Sequence, residues 1–170
     1  MDITNFVTGF AHPLGGADHI LAMVAIGLWG VIAGGRALWV WPVAFVSTVL
    51  AGFAAGVLGL HVPLVEPAIA ASIVVLGLLI AFAVRTPVWL GAVIAGLFAF
   101  FHGHAHGTET LSAGVGLIEY TGGFAFATAA LHAVGLGAGL LIARSAGGLL
   151  LRASGGLVAV SGVALIATLA

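Results

Sequence analysis

Long apolar runs, broken only by short polar joints, constrain this chain more than any other feature. Six such segments fall at about 13–34, 38–59, 66–84, 88–106, 121–143 and 149–169. Crossing the hydrocarbon core of a bilayer takes roughly 20 helical residues, and lipid requires each segment to satisfy its own backbone polar groups. The runs lack the two-residue alternation of an outer-membrane barrel and are too long for its strands. The expected fold is an all-α integral membrane protein: a bundle of about six transmembrane helices, one domain over residues 1–170. Only 5% of residues are charged and 62% are hydrophobic, whereas soluble domains carry about a quarter charged residues. Pro13, Pro42, Pro63, Pro67 and Pro87 lie at or near segment starts, where a missing N–H is tolerated.

The basic residues orient the bundle. Arg36, Arg85, Arg144 and Arg152 fall in or beside the first-to-second, third-to-fourth and fifth-to-sixth connections. Those connections share one face, which the positive-inside bias makes cytoplasmic. Asp2, Glu66, Glu109 and Glu119 then lie toward the outer face, and both termini lie outside. An outside N-terminus with no basic and apolar leader before Asp2 predicts a removed signal peptide, with Met1 supplied for expression. Two sets of three spans also permit a 3+3 inverted repeat, a common transporter plan. The absence of cysteine excludes disulfides, thiolate metal sites and thiol nucleophiles. Four arginines are too few for a nucleic-acid surface.

Chemistry is concentrated in two clusters. The first is His12-Pro13-Leu14-Gly15-Gly16-Ala17-Asp18-His19. If a helix starts at Pro13, Asp18 and His19 lie about 8–9 Å along it. A membrane-embedded Asp costs on the order of 3 kcal/mol unless paired or hydrated, so Asp18 reads as functional. The blander alternative makes Asp18 the cap of a late-starting helix and His12 an interfacial residue. The second cluster, Phe101-His102-Gly103-His104-Ala105-His106-Gly107-Thr108-Glu109, closes the fourth segment. On a continuing helix His102, His106 and Glu109 follow i, i+4, i+7 and share a face, a plausible N/O donor set for Ni, Co or Zn. Gly103 and Gly107 beside that stripe admit a close helix neighbour. A flexible, incidental His-rich loop is the alternative.

By the expected topology both clusters meet at the outer face, where Glu66 joins them. His132 lies about 15 Å into the fifth span, either as a deeper ligand or as a hydrogen-bonded structural residue. His104 points away from the stripe as an auxiliary or surface group, and His61 and Glu119 read as loop residues.

These motifs resemble those of the HupE/UreJ family of bacterial nickel/cobalt permeases. The likeness is carried by His12, Asp18 and His19 in an H-x5-D-H pattern, by Leu21-Ala22-Met23 and Gly27-Leu28-Trp29, by the Phe101–Glu109 stretch, and by Leu131-His132 with Gly135. It covers essentially the whole chain. The resemblance implies Ni2+ uptake across the inner membrane in support of hydrogenase or urease maturation, and it implies that Phe45 and Glu66 matter. No covalently bound cofactor is expected, only Ni2+, Co2+ or Zn2+ as the transported or bound ion, and a homo-oligomer stays open.

The expected function is thus inward transport of a divalent ion, Ni2+ or Co2+, by a secondary or potential-driven mechanism. Candidate metal residues are His12, Asp18, His19, Glu66, His102, His106, Glu109 and His132, with Phe45 and His104 as auxiliaries. No nucleotide-binding loop is present to use ATP. Below His132 no ligand is evident on the cytoplasmic side. Two other classes fit the same residues. An intramembrane Zn2+-dependent hydrolase would use three ligands and an open water position, and a non-transporting metal sensor or partner subunit would bind without flux.

Overall fold

The structure, a computed structural model, describes residues 2–113, 116–145 and 147–168. The chain ends expected outside, residues 1 and 169–170, fall beyond the described residues. Among these the chain forms α-helices and no strand. They are α1 (Ile3–Ala11), a 3-10 turn (His12–Leu14), α2 (Ala17–Ala33), α3 (Ala37–Val57), α4 (Val65–Ala81), α5 (Val88–Ala113), α6 (Leu117–Ser145) and α7 (Gly147–Thr168). Four of them, α3, α5, α6 and α7, hold stretches long and apolar enough to cross a membrane. α1 and α2 qualify only as a pair, bent by 79° at the break between them, and apolar α4 is shorter at 17 residues.

The bend departs from the single helix expected over 13–34. Pro13 lacks an N–H, and Gly15 and Gly16 weaken any helix that contains them, so the chain breaks there and α2 starts at Ala17. Before the break, the Asp2 carboxylate accepts the Thr4 N–H at 2.9 Å and caps α1, a helix hidden in the sequence by its polar start. α5 continues past the expected end near 106 to Ala113, which keeps Glu109 helical. The α2–α3 reversal takes three residues, with Gly34 (φ 72) and Gly35 (φ 54) in left-handed conformations that side chains resist.

Lipid supplies no hydrophobic force between helices, so they associate through close backbone packing at small residues. α3 lies along α5, α6 along α2 and α1, and α7 along α4. A methyl group on Gly103 or Gly107 of α5 would overlap the Val49 or Phe53 carbonyl of α3, and one on Gly52 would overlap the Phe100 carbonyl. α2 and α6 repeat this reciprocity, with Gly27 against the His132 carbonyl and Gly135 against the Val24 carbonyl. These contacts leave each pair of helices little freedom to slide.

The arginine-bearing end is closed by aromatics. Trp29 of α2 and Trp41 of α3 are fully buried with ring centroids 4.1 Å apart. Their indole N–H groups donate to the Val84 and Val88 carbonyls, each at 2.9 Å. The connection between α4 and α5 is thereby held against α2 and α3.

Candidate metal centre

The end opposite the tryptophans opens as a cleft of about 750 Å3, lined in part by His12, Asp18, His19, Glu66, His106 and Glu109. The α1–α2 break places His12 over the end of α5, where its Nε2 meets Glu109 Oε2 at 2.9 Å. His106, one turn before Glu109, brings Nδ1 to 3.7 Å from the same oxygen. His12, His106 and Glu109 each offer a donor atom within 4.8 Å of the others. Donors around one ion with metal–nitrogen bonds of about 2.1 Å lie roughly 3–4 Å apart. Small side-chain adjustments would therefore close this set on a cation.

The rings continue inward from that mouth. His19 packs against His106 with centroids 4.2 Å apart and against His102 at 4.8 Å. Asp18 and His19 occupy the first turn of α2, not a second turn as a start at Pro13 would place them. Neither Asp18 nor any other side chain caps α2. Asp18 Oδ1 instead holds His19 Nδ1 at 2.9 Å. Beyond His102 lies the Phe45 ring, 6.0 Å from His102 and 4.8 Å from His132 between centroids. His132 sits midway along α6, completely buried, with Nδ1 2.7 Å from the Thr128 carbonyl. The order from mouth to interior is His12, His106, His19, His102, Phe45, His132.

Hydrogen bonding assigns the nitrogens. A carboxylate or carbonyl only accepts, so His19 donates from Nδ1 to Asp18 and His132 donates from Nδ1 to Thr128. The remaining atoms, His19 Nε2 and His132 Nε2, are buried with no hydrogen-bond partner, as are His102 Nδ1 and both nitrogens of His106. Buried polar atoms are almost always satisfied. A row of bare imidazole lone pairs, with the His19, His102 and His132 rings each anchored through the other nitrogen, is the arrangement that metal-ligating histidines adopt.

The structure thus gathers His12, Asp18, His19, His102, His106 and Glu109 into one continuous cluster. Glu66 is exposed on the cleft wall, and His132 is separate and deeper. His104 lies apart from them. It is buried on the other side of α5, with Nε2 2.7 Å from the Leu60 carbonyl, so it braces the α3–α4 connection. Reading the sequence did not single out Ser72, whose Oγ is 3.0 Å from His102 Nε2. It also missed Tyr120 and Phe124, which pack on His12 and His106 with centroids 5.7 and 4.7 Å apart. A serine or aromatic inside an apolar run carries no local signal of a histidine neighbour.

Apolar helices around this histidine–carboxylate cleft define a multi-pass helical membrane protein with a candidate cation site. The chain belongs to the HupE / UreJ protein family, which matches residues 1–165. It is similar to Protein HupE of Rhizobium leguminosarum bv. viciae, at 44% identity over 162 residues covering 94% of this chain and 83% of that relative. No solved structure matches it.

Proposed function

We propose that this protein carries Ni2+ or Co2+ inward across the bacterial inner membrane, loading the ion at the histidine–carboxylate cleft. The observation that carries this reading is the file of bare imidazole nitrogens leading from the cleft toward the middle of α6. A hydrolase needs one fixed ion and a substrate cavity; a file of donors suits an ion that moves. Neutral imidazoles and carboxylates hold borderline divalent ions without the thiolates that favour Cu(I). Asp18, Glu66 and Glu109 supply negative charge around the entrance.

In this reading α1 and α2 form one bent span and α4 a short one, making six, with the cleft outward and the four arginines inward. The helix pairing supports a 3+3 inverted repeat. If α2, α3 and α4 map onto α5, α6 and α7, the α3–α5 pair maps onto α6–α2, and α4–α7 maps onto itself. The membrane potential then drives the ion by about 4.6 kcal/mol per 100 mV for two charges. The family resemblance supports hydrogenase or urease maturation as the destination of the cargo.

The test is Ni2+ and Co2+ uptake into proteoliposomes under an inside-negative potential, comparing the native chain with His106→Ala. Potential-dependent uptake that His106→Ala abolishes, with helicity retained, supports the proposal. Stoichiometric Ni2+ binding by the native chain without uptake refutes it in favour of a sensor.

A further inference from the structure

Ser72, in the middle of α4, is fully buried in an otherwise apolar stretch. Its Oγ lies 2.6 Å from the Ile69 carbonyl and 3.0 Å from His102 Nε2. A hydroxyl has one hydrogen. Two oxygens 2.6 Å apart repel unless that hydrogen lies between them, so it is committed to Ile69, and Oγ can only accept from the ring. His102 Nε2 must then carry the proton, and its Nδ1 is left as a bare, buried lone pair.

We infer that Ser72 is a positioning residue that locks His102 in its Nε2–H tautomer, keeping the Nδ1 lone pair available to the ion as it passes from His19. This rests on the proposed transport reading. His102 is thereby held by a neutral hydroxyl on α4, where His19 is held by the Asp18 carboxylate on its own helix. The bond also ties α4 to α5. Without it, either nitrogen of His102 can take the proton, and the tautomer with hydrogen on Nδ1 turns a donor toward a cation.

The first readout needs no metal. In protein labelled with 15N-histidine, the His102 resonances, identified by their loss in His102→Ala, should report a single Nε2–H tautomer. Ser72→Ala should give a mixture or the opposite form, and Ser72→Thr, which keeps the hydroxyl, should restore the native pattern. Ni2+ affinity by calorimetry should fall 10–100-fold in Ser72→Ala, the usual effect of removing a ligand's orienting partner, and recover in Ser72→Thr. A native His102 protonated on Nδ1 overturns the inference whether or not the variants fold. Unchanged Ni2+ affinity in folded Ser72→Ala overturns it while leaving transport intact. A native chain that binds neither Ni2+ nor Co2+ overturns the transport reading and this inference with it.

Discussion

Replacing Asp18 separates two roles that one carboxylate performs. Asp18→Asn keeps an oxygen to accept the His19 Nδ1–H but removes the charge; Asp18→Ala removes both. From the 2.9 Å contact, the width of an imidazole and a metal–nitrogen bond of about 2.1 Å, an ion on His19 Nε2 sits roughly 7 Å from the carboxylate. A charge of −1 and a divalent cation at that distance attract by about 5 kcal/mol at an effective dielectric of 20 and about 1 kcal/mol in bulk water. The Asp18 side chain is 24% exposed at the edge of the cleft, so the interaction falls between these limits. A loss of about 2 kcal/mol for Asp18→Asn corresponds to about 30-fold weaker Ni2+ binding. Asp18→Ala should lose roughly tenfold more, because His19 is then free to present a hydrogen to the ion. Calorimetric titration of Ni2+ in detergent measures both, with thermal melts confirming that α2 still forms. Asn binding as tightly as Asp, or less tightly than Ala, would refute the assignment of Asp18 as both counter-charge and ring anchor.

Three further outcomes are expected. Gly103→Ala should destabilise the protein by about 1–3 kcal/mol or more through overlap with the Val49 carbonyl, whereas Gly137→Ala, with open space around it, should hold or slightly raise the melting temperature. Protons compete with metal for imidazole nitrogens, but burial disfavours the protonated ring, so lowering the pH from about 7.5 to about 5.5 should weaken Ni2+ binding by a few-fold at most; calorimetry at the two values checks it, and a much larger loss, or tighter binding in acid, would contradict it. Because the native chain has no cysteine, single cysteines at Asp2 and Arg36 give a clean topology test: an impermeant maleimide on right-side-out vesicles should label the first and spare the second.

The α-helical class was legible because apolar length alone decides it, and proline positions mark several helix starts. The stripe His102, His106, Glu109 was legible because four- and three-residue steps place side chains on one helical face. Gly103 and Gly107 beside it indeed meet the α3 backbone. The break at residues 12–16 was written in Pro13, Gly15 and Gly16, but the surrounding apolar run argued for continuity. The pairing of Asp18 with His19 turns on where that helix starts. Ser72, Phe45 and the Trp29–Trp41 pair depend on which helices become neighbours, and no periodicity within one segment carries that information. Phe45 came to attention only through the family resemblance, without a geometric reason. The structure supplies one, since its ring stands between His102 and His132.

The aromatic layer formed by Phe45, Trp41 and Trp29 has an electrical consequence. A polar, hydrated cleft is a conductor compared with packed rings, so a transmembrane field does not fall evenly along the helices. In the proposed orientation, the cleft would stay near the external potential down to His106 and His19, and most of the voltage drop would fall across the aromatic layer beyond them. Binding at the mouth would then be almost insensitive to voltage, while passage through the layer would take nearly all the electrical work. On the proposed transport reading, the same layer would separate the imidazoles of the cleft from the arginine-bearing side and would insulate the membrane against proton leakage between ions.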